Sequence, residues 1–402
     1  MATPTILDFG TGNTPTDYLS KSYAGNLIRY APNGMAPIFG ITSMLNSGTA
    51  KSVEHGYFSK TMLFPQTTAT GAHTDVATNI VVADSSQFVP GEMLMVWATS
   101  EVMRVVAIVD ATNITVGRGY NTGGAGTALT GGESLYSIGN AFEQGSYRPA
   151  SRVLAVARVM NNTQIFRNSW ALAHSLAVIK PIVGGDEIAE SRTDAGMFHA
   201  SDIEKSILFG QKTSGMVNGQ YMTTMNGIWN TLREQVPGNV QAAGATTNYT
   251  QLQTLLDVAF DTITNGRNGN ERVLYVGGQA RTVINDIGRL NGTYQIVDGQ
   301  TNFGLQFSTF KTSRGTFRMV EHPMLNTNDD WKKTAFCLDM PSIKLMHLEG
   351  RRTMNKEYGM NGTPVDDGVD AVGGTLTTEL TMEITNPSAN VVLTGLTAGA
   401  AG

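Results

Sequence analysis

Turn chemistry cuts this chain into short pieces. Seven Asn-Gly pairs, among them Asn33-Gly34, Asn218-Gly219, Asn226-Gly227 and Asn361-Gly362, mark tight turns. No heptad pattern and no internal repeat runs across them. The clearest helix is 249–265, where Tyr249, Leu252, Leu255, Leu256, Ala259, Phe260 and Ile263 share one face. Thr250 and Gln253 are placed to form its capping box, and Gly266 to stop it. Arg272–Val276 reads as a strand, followed by a second helix with Ala280, Val283, Ile284 and Ile287 inward. Short strands are expected at 316–320, 334–338 and 342–348. Leu376, Leu380, Met382 and Ile384 alternate with Thr377, Glu379, Thr381 and Glu383, the period of a strand buried on one face. The fold class is α+β, with few helices and many short strands.

Upstream the pattern changes twice. Residues 1–50 read as an extended arm: Pro4, Pro15, Pro32 and Pro37, with several glycines, leave little room for a long helix. Its scattered apolar residues cannot form a core and must lie across another surface. Residues 71–140 hold six acids against two bases, and no lysine falls between Lys60 and Lys180. Short β-rich runs at 79–83, 92–97, 101–109, 112–117 and 134–138 alternate with turn residues, which predicts an inserted acidic β-module, a small barrel or sandwich. The stretch 150–180 fits strand or helix. In 186–209, Ser201-Asp-Ile-Glu204 has the spacing of a capping box ahead of Ile207 and Leu208. With Gly196, it predicts two helical pieces.

Charge bounds the function. Only 15% of the 402 residues are charged, against about 25% in ordinary soluble domains. The mean hydropathy is −0.11, so Gly, Thr, Asn and Ala replace the missing charge, not grease. A surface this weakly charged is expected to be covered by neighbouring copies, which points to a self-assembling structural protein. A net charge of −5 argues against gripping nucleic-acid phosphates as the main task. No secretory signal is visible at the N-terminus, and no apolar run approaches the ~20 residues that span a bilayer.

Chemistry is sparse. None of the six histidines pairs with another His or with Cys337 at metal-ligand spacing. Cys337, in an apolar run, is expected to be a buried strand residue. Gly210-Gln-Lys-Thr213 lacks the phosphate-loop pattern, and no nucleophile motif occurs. His347 and Glu349 would share a strand face, most simply as a surface pair. Lys332-Lys333 is neutralised by Asp329-Asp330, and Arg351-Arg352 reads as a solvated pair. Trp331 and Tyr57-Phe58 read as packing residues. The chain is expected to be no enzyme, with no catalytic, cofactor or metal site.

The order of pieces resembles that of tailed-bacteriophage major capsid proteins with the Hong Kong 97-type fold. Asn162-Thr-Gln-Ile-Phe166 with Arg167, Asp202-Ile-Glu204, Ser206-Ile-Leu-Phe-Gly210 and Thr378-Glu-Leu-Thr-Met-Glu-Ile-Thr-Asn386 are similar to segments of the family typified by SU-ten-like podophages. Gly196 departs from that family's straight spine helix. The resemblance implies an N-terminal arm (1–50), an E-loop (51–149) carrying the β-module, a peripheral domain with spine helix (150–224), an axial domain (225–345) and a peripheral return (346–402). It implies pentamers and hexamers in an icosahedral virion shell around double-stranded DNA, made in the host bacterial cytoplasm. A separate scaffolding protein, a portal and a decoration protein would be partners. Tyr57, Phe58, Tyr147 and Arg148 at the E-loop stem would meet a neighbouring subunit. The alternatives are an encapsulin-like nanocompartment shell and an extracellular lattice or adhesin protein.

Overall fold

In the computed structural model Pro37 starts a helix where prolines had suggested extended chain. Its missing N–H is one that a first helical turn never uses. Helix α1 (Pro37–Leu45) is followed by strand β1 (Ser47–Ala50), so the predicted arm is partly regular structure. The next two amides of α1, Ile38 and Phe39, donate to the carboxylate of Glu204 at 2.9 and 2.8 Å. The structure describes residues 36–45, 47–60, 64–121, 123–124, 126–149, 151, 156–179, 186–261, 269–291, 301–302, 305–306, 308–359 and 370–399. They divide into two compact units, one within 58–158 and one from the remainder. Most of the arm, and the helix stop assigned to Gly266, lie outside the described residues.

Strand β2 (Glu54–Ser59) leads into the inserted unit. Its strands are β3 (Gln66–Thr68), β4 (Asn79–Val81), β5 (Glu92–Val96), β6 (Val102–Ile108), β7 (Asn113–Gly117) and β8 (Ser134–Asn140). They pair in the order β3-β8-β5-β6-β7-β4. The bridge Ala69–Val82 then joins the last strand to the first, with Thr70 N–H donating to Val81 and Ala83 N–H to Thr68. The sheet is thus a closed barrel, the first of the two architectures expected. Register shifts at Met93/Leu94 and Val105/Ala107 add the local coiling that closure requires. Alternate side chains fill the interior: Ile80, Leu94, Val96, Met103, Val105, Ile114, Val116 and Leu135. Each such side chain contributes about 1.5–3 kcal/mol by leaving water. Closure also removes the exposed sheet edges that invite aggregation.

The chain returns through β9 (Ala157–Asn162) and β10 (Gln164–Ala173), so the ambiguous stretch is strand from 157 up to the short helix α2 (His174–Val178), while 150, 152–155 and 180 lie outside the described residues. Helix α3 (Glu187–Phe209) then runs unbroken for 23 residues, correcting the expected two pieces. Asp186 caps it by accepting from Ile188 N–H, and Glu187 and Glu190 favour its positive end. Ser201 is a buried mid-helix residue, not a cap. Ala195, His199, Ile203 and Ile207, four apart, form the buried stripe that carries the helix past Gly196. A Cβ at Gly196 would meet nothing within 4 Å. Gly196→Ala is therefore expected to stabilise this unit by up to about 1 kcal/mol, read as a higher urea midpoint. A lower midpoint would mean that the helix needs this glycine.

Strands β11 (Thr213–Val217) and β12 (Gln220–Thr224) form a hairpin, and α4 (Ile228–Gln235) follows. Between them Gly210 and Gly227 pass so closely that a Cβ on Gly227 would lie 2.5 Å from the Gly210 amide nitrogen. Next come β13 (Val240–Ala242), α5 (Tyr249–Asp257), β14 (Glu271–Val276) and α6 (Gly278–Asn291). The capping box of α5 is Asn248 with Gln251, not Thr250 with Gln253. Asn is the stronger cap, and the shift leaves Gln253 to reach Ser313. The two-residue strands β15 (Thr301–Asn302) and β16 (Leu305–Gln306) precede β17 (Ser308–Lys311), β18 (Thr316–Glu321), β19 (Ala335–Leu338), β20 (Ile343–Leu348), β21 (Met354–Tyr358), β22 (Ala371–Ile384) and β23 (Val391–Thr394).

Two sheets organise the larger unit. One has the order β13-β23-β19-β14-β18-β17, the other β1-β20-β22-β10 with β21 also on β22. The first is covered on both faces: Ala335 and Cys337 pack with α5 and α6, while Phe336 and Leu338 pack with α3 and α4. That is why its strands read as continuous apolar runs. Burial pushes the Cys337 thiol up to about 12, which leaves it unreactive.

Strand β22 departs from its expected half-buried pattern, because its polar face is covered too. Glu379 pairs with Arg351 at 2.9 Å and accepts from Thr163 Oγ1 at 2.9 Å. Glu383 meets His55 at 2.8 Å and Lys344 at 3.6 Å.

Candidate assembly surfaces

A polar cluster ties α1, α3 and the end of β18 together. Glu204 and His322 are both fully buried, 2.8 Å apart, and the same carboxylate holds the first turn of α1. Tyr275 packs edge-on against His322, and its hydroxyl is raised well above the ordinary tyrosine range by burial and by the Glu204 charge. The capping-box spacing had placed Glu204 at the start of a helix. Only the packing of α1 onto α3 gives it this role.

Of the residues expected to meet a neighbour, Tyr57 is half-buried and donates from its hydroxyl to the Ile384 carbonyl at 2.5 Å. Burial, with the Glu383 charge beside it, pushes this phenol up to about 12, so it stays a neutral donor. Phe58, the next residue on β2, alternates to the other face and is 73% exposed. Tyr147 is 96% exposed, and Arg148 is exposed beside it. Tyr57 thus has an identified use within its own chain, whereas the other three are open to a partner.

The rest of the predicted chemistry is internal. His199 is held between Asn168 and Thr378 at 2.8 and 2.7 Å, and burial keeps its imidazole below the usual histidine range. His347 is buried at the end of β20 with no hydrogen-bond partner, so it forms no pair with Glu349. Burial and the nearby Arg352 charge hold it below its ordinary range. It borders an open cavity of about 350 Å³ with Gly48, Thr49 and Arg352. Lys332 meets Asp329 at 3.0 Å and Arg351 meets Glu379, so each basic pair has one member neutralised. Trp331 stacks on Phe209 with centroids 4.5 Å apart, a packing role. Among the described residues no three His, Cys, Asp or Glu side chains are grouped to hold a metal ion. No described helix is long and apolar enough to cross a membrane.

Exposed apolar side chains are the more informative feature. Trp97 and Tyr136 form an edge-to-face pair on the outside of the barrel. In the larger unit Met216, Val217, Tyr221 and Met222 project from the β11–β12 hairpin, and Leu176, Val178 and Ile179 from α2 and the residue that follows it. Both groups escaped the sequence reading. Asn218-Gly219 flanked by strand-forming residues was the available signal for the hairpin.

Residues 10–397 match the model of the family described as SU10 major capsid protein. The chain is 35% identical to the major capsid protein of Pseudomonas phage PaMx41, over 96% of this chain and 95% of that one. Among solved structures it is similar to the SrpI encapsulin of Synechococcus elongatus PCC 7942, at 8% identity and a TM-score of 0.46 over 94% of this chain and 92% of that one. It is also similar to a structure of Gordonia phage Cozz, at 11% identity and a TM-score of 0.44 over 99% of both chains.

Proposed function

The chain belongs to the SU10 major capsid protein family, and we propose that it builds an icosahedral shell of pentamers and hexamers around double-stranded DNA. The observation that carries this reading is the family match over residues 10–397. The low surface charge and the apolar side chains exposed on both units support it. In this reading 1–50 is the N-arm, 51–149 the E-loop, 150–224 and 346–402 the peripheral domain and 225–345 the axial domain. Phe58, Tyr147 and Arg148 would contact a neighbouring subunit, while Tyr57 braces the stem from within. A net-acidic wall suits the cargo, because a shell that bound phosphates tightly would resist packaging and ejection. A separate scaffolding protein would set the shell size, a portal would admit the DNA, a decoration protein would bind outside, and synthesis would take place in the host cytoplasm.

Negative-stain microscopy of the purified chain tests the reading. Shells, tubes or capsomer rings are expected, with uniform closed shells only when a scaffolding protein is supplied. A chain that stays monomeric at every salt and protein concentration, with and without scaffold, would overturn it.

A further inference from the structure

Strand β20 carries one polar ring into a buried row. Its side chains alternate, with Ile343, Leu345 and His347 buried and Lys344, Met346 and Leu348 less so. Ile343 and Leu345 use that burial to join the apolar core. His347, next in the row and only 6% exposed, has no hydrogen-bond partner on either ring nitrogen. Among the described residues no other buried side chain leaves two nitrogens unpaired. Buried polar groups are nearly always paired, so a ring without a partner in its own chain points to a partner from outside.

The fold places a second basic group beside that ring. Strands β20 and β21 run along the same edge of β22, one ending opposite Leu380 and the next starting opposite Thr377. The residues between them leave the sheet and are gathered by a tight turn. Arg351 N–H donates to the Leu348 carbonyl at 2.9 Å, and Gly350 sits in the third position at φ 72°, where glycine is favoured. This excursion sets Arg352 and Thr353 against the cavity of about 350 Å³ that His347 borders. Thr49 of β1, level with His347 in the parallel register, lines it as well. None of the lining residues is acidic. Arg351 is taken by Glu379 at 2.9 Å, but Arg352 meets no carboxylate among the described residues.

We propose that this cavity binds a small phosphate-type oxyanion, held chiefly by Arg352 and His347. Arg352 supplies a positive charge and a fork of donors matched to phosphate oxygens. The imidazole has no hydrogen bond to break, so it can turn a nitrogen toward the ligand. Thr49 and Thr353 add hydroxyls from β1 and from the loop. Polar groups drawn from three chain segments suit a tetrahedral ion, whereas a planar carboxylate would be satisfied by the guanidinium fork alone. The volume is at the low end of the about 300–1,000 Å³ typical of small-molecule sites, the size for free phosphate or a small phosphate ester. The site holds whether or not the chain forms shells.

Calorimetric titration of the full chain with inorganic phosphate, in chloride buffer of constant ionic strength, tests this. Saturable binding of one phosphate per chain is expected, and Arg352→Gln should weaken it at least about tenfold. Arg352 is exposed, so its variant should melt within a few degrees of the unsubstituted chain when phosphate is absent. His347→Leu should weaken binding about fivefold or more without lowering the melting temperature, because leucine removes two unpaired buried nitrogens. Should that variant fail to fold, Arg352→Gln still decides. No saturable binding to the unsubstituted chain, or unchanged affinity in either folded variant, would overturn the site. Acetate bound as tightly as phosphate would overturn the choice of ligand, and so would displacement of phosphate by a short DNA duplex.

Discussion

Glu204→Ala is expected to destabilise the larger unit by roughly 3–5 kcal/mol, because it strands several hydrogen-bonding groups at about 1–3 kcal/mol for each one left buried. That is a large share of the 5–15 kcal/mol that typically separates folded from unfolded protein. The size follows from what the carboxylate does. It accepts from the buried Ile38 amide, from the part-buried Phe39 amide and from the buried His322. Alanine would strand every one of them and leave a cavity as well. Glu204→Gln keeps the volume and one acceptor, so a smaller loss of roughly 2 kcal/mol is expected. Because the first turn of α1 docks on this residue, added protease should cut near residue 36 sooner in both variants. Urea unfolding with limited proteolysis measures the two effects together. A Glu204→Ala midpoint within error of the original would show that α1 is held by its apolar contacts, Ile38 above all.

Arg118→Ala should lower the unfolding transition of the barrel by about 3–5 kcal/mol and leave that of the larger unit in place. Arg118 meets Glu101 through two nitrogens at 3.0 and 2.7 Å, and the Glu101 side chain is fully buried inside the barrel wall. Arg118 also donates to the Thr74 and Thr127 carbonyls, so one side chain joins three loops. The pH dependence gives a second signature. Burial acts to raise the Glu101 carboxyl, but the Arg118 hydrogen bonds, the Thr127 amide and the Arg118 charge outweigh it and hold the group below its usual range. A depressed carboxylate stabilises fully above its unfolded-state pKa, and that contribution drains away as the pH falls through the folded-state value. The original barrel should therefore weaken on acidification. In Arg118→Ala the carboxylate is buried without its partner and its pKa must rise. Mild acid then neutralises it, and the variant should recover stability where the original loses it. Calorimetric melts from neutral pH downward would show the two trends. Parallel trends would mean that Glu101 and Arg118 are not coupled.

Much of the architecture was legible because local rules act on neighbouring residues. The barrel strands were readable from runs such as Glu92–Val96, whose alternate side chains point inward, and from the turns between them. The apolar face of α6, with Ala280, Val283, Ile284 and Ile287, was readable from its 3.6-residue period and is buried as expected. The burial of Cys337 followed from its apolar run. The family resemblance rested on short segments that fall, in the structure, on β10, α3 and β22. The α5 cap was misread because two boxes lie two residues apart, and local spacing alone does not rank them.

What only the tertiary structure decided concerns partners distant in sequence. Gly196 and the Ser201–Glu204 spacing argued locally for a break, yet the buried stripe along α3 outweighs the roughly 1 kcal/mol that a helical glycine costs. The acids of β22 looked solvent-facing until Arg351, His55 and Lys344 were brought against them. Glu204 and the first turn of α1 are separated by 165 residues or more, and no periodicity can report a carboxylate that caps another helix. The same holds for exposure. Composition fixed that this surface would be poor in charge, but which apolar side chains remain uncovered depends on where the rest of the chain packs. Local sequence sets what each segment prefers to be, and long-range burial sets which of its groups are left for a neighbour.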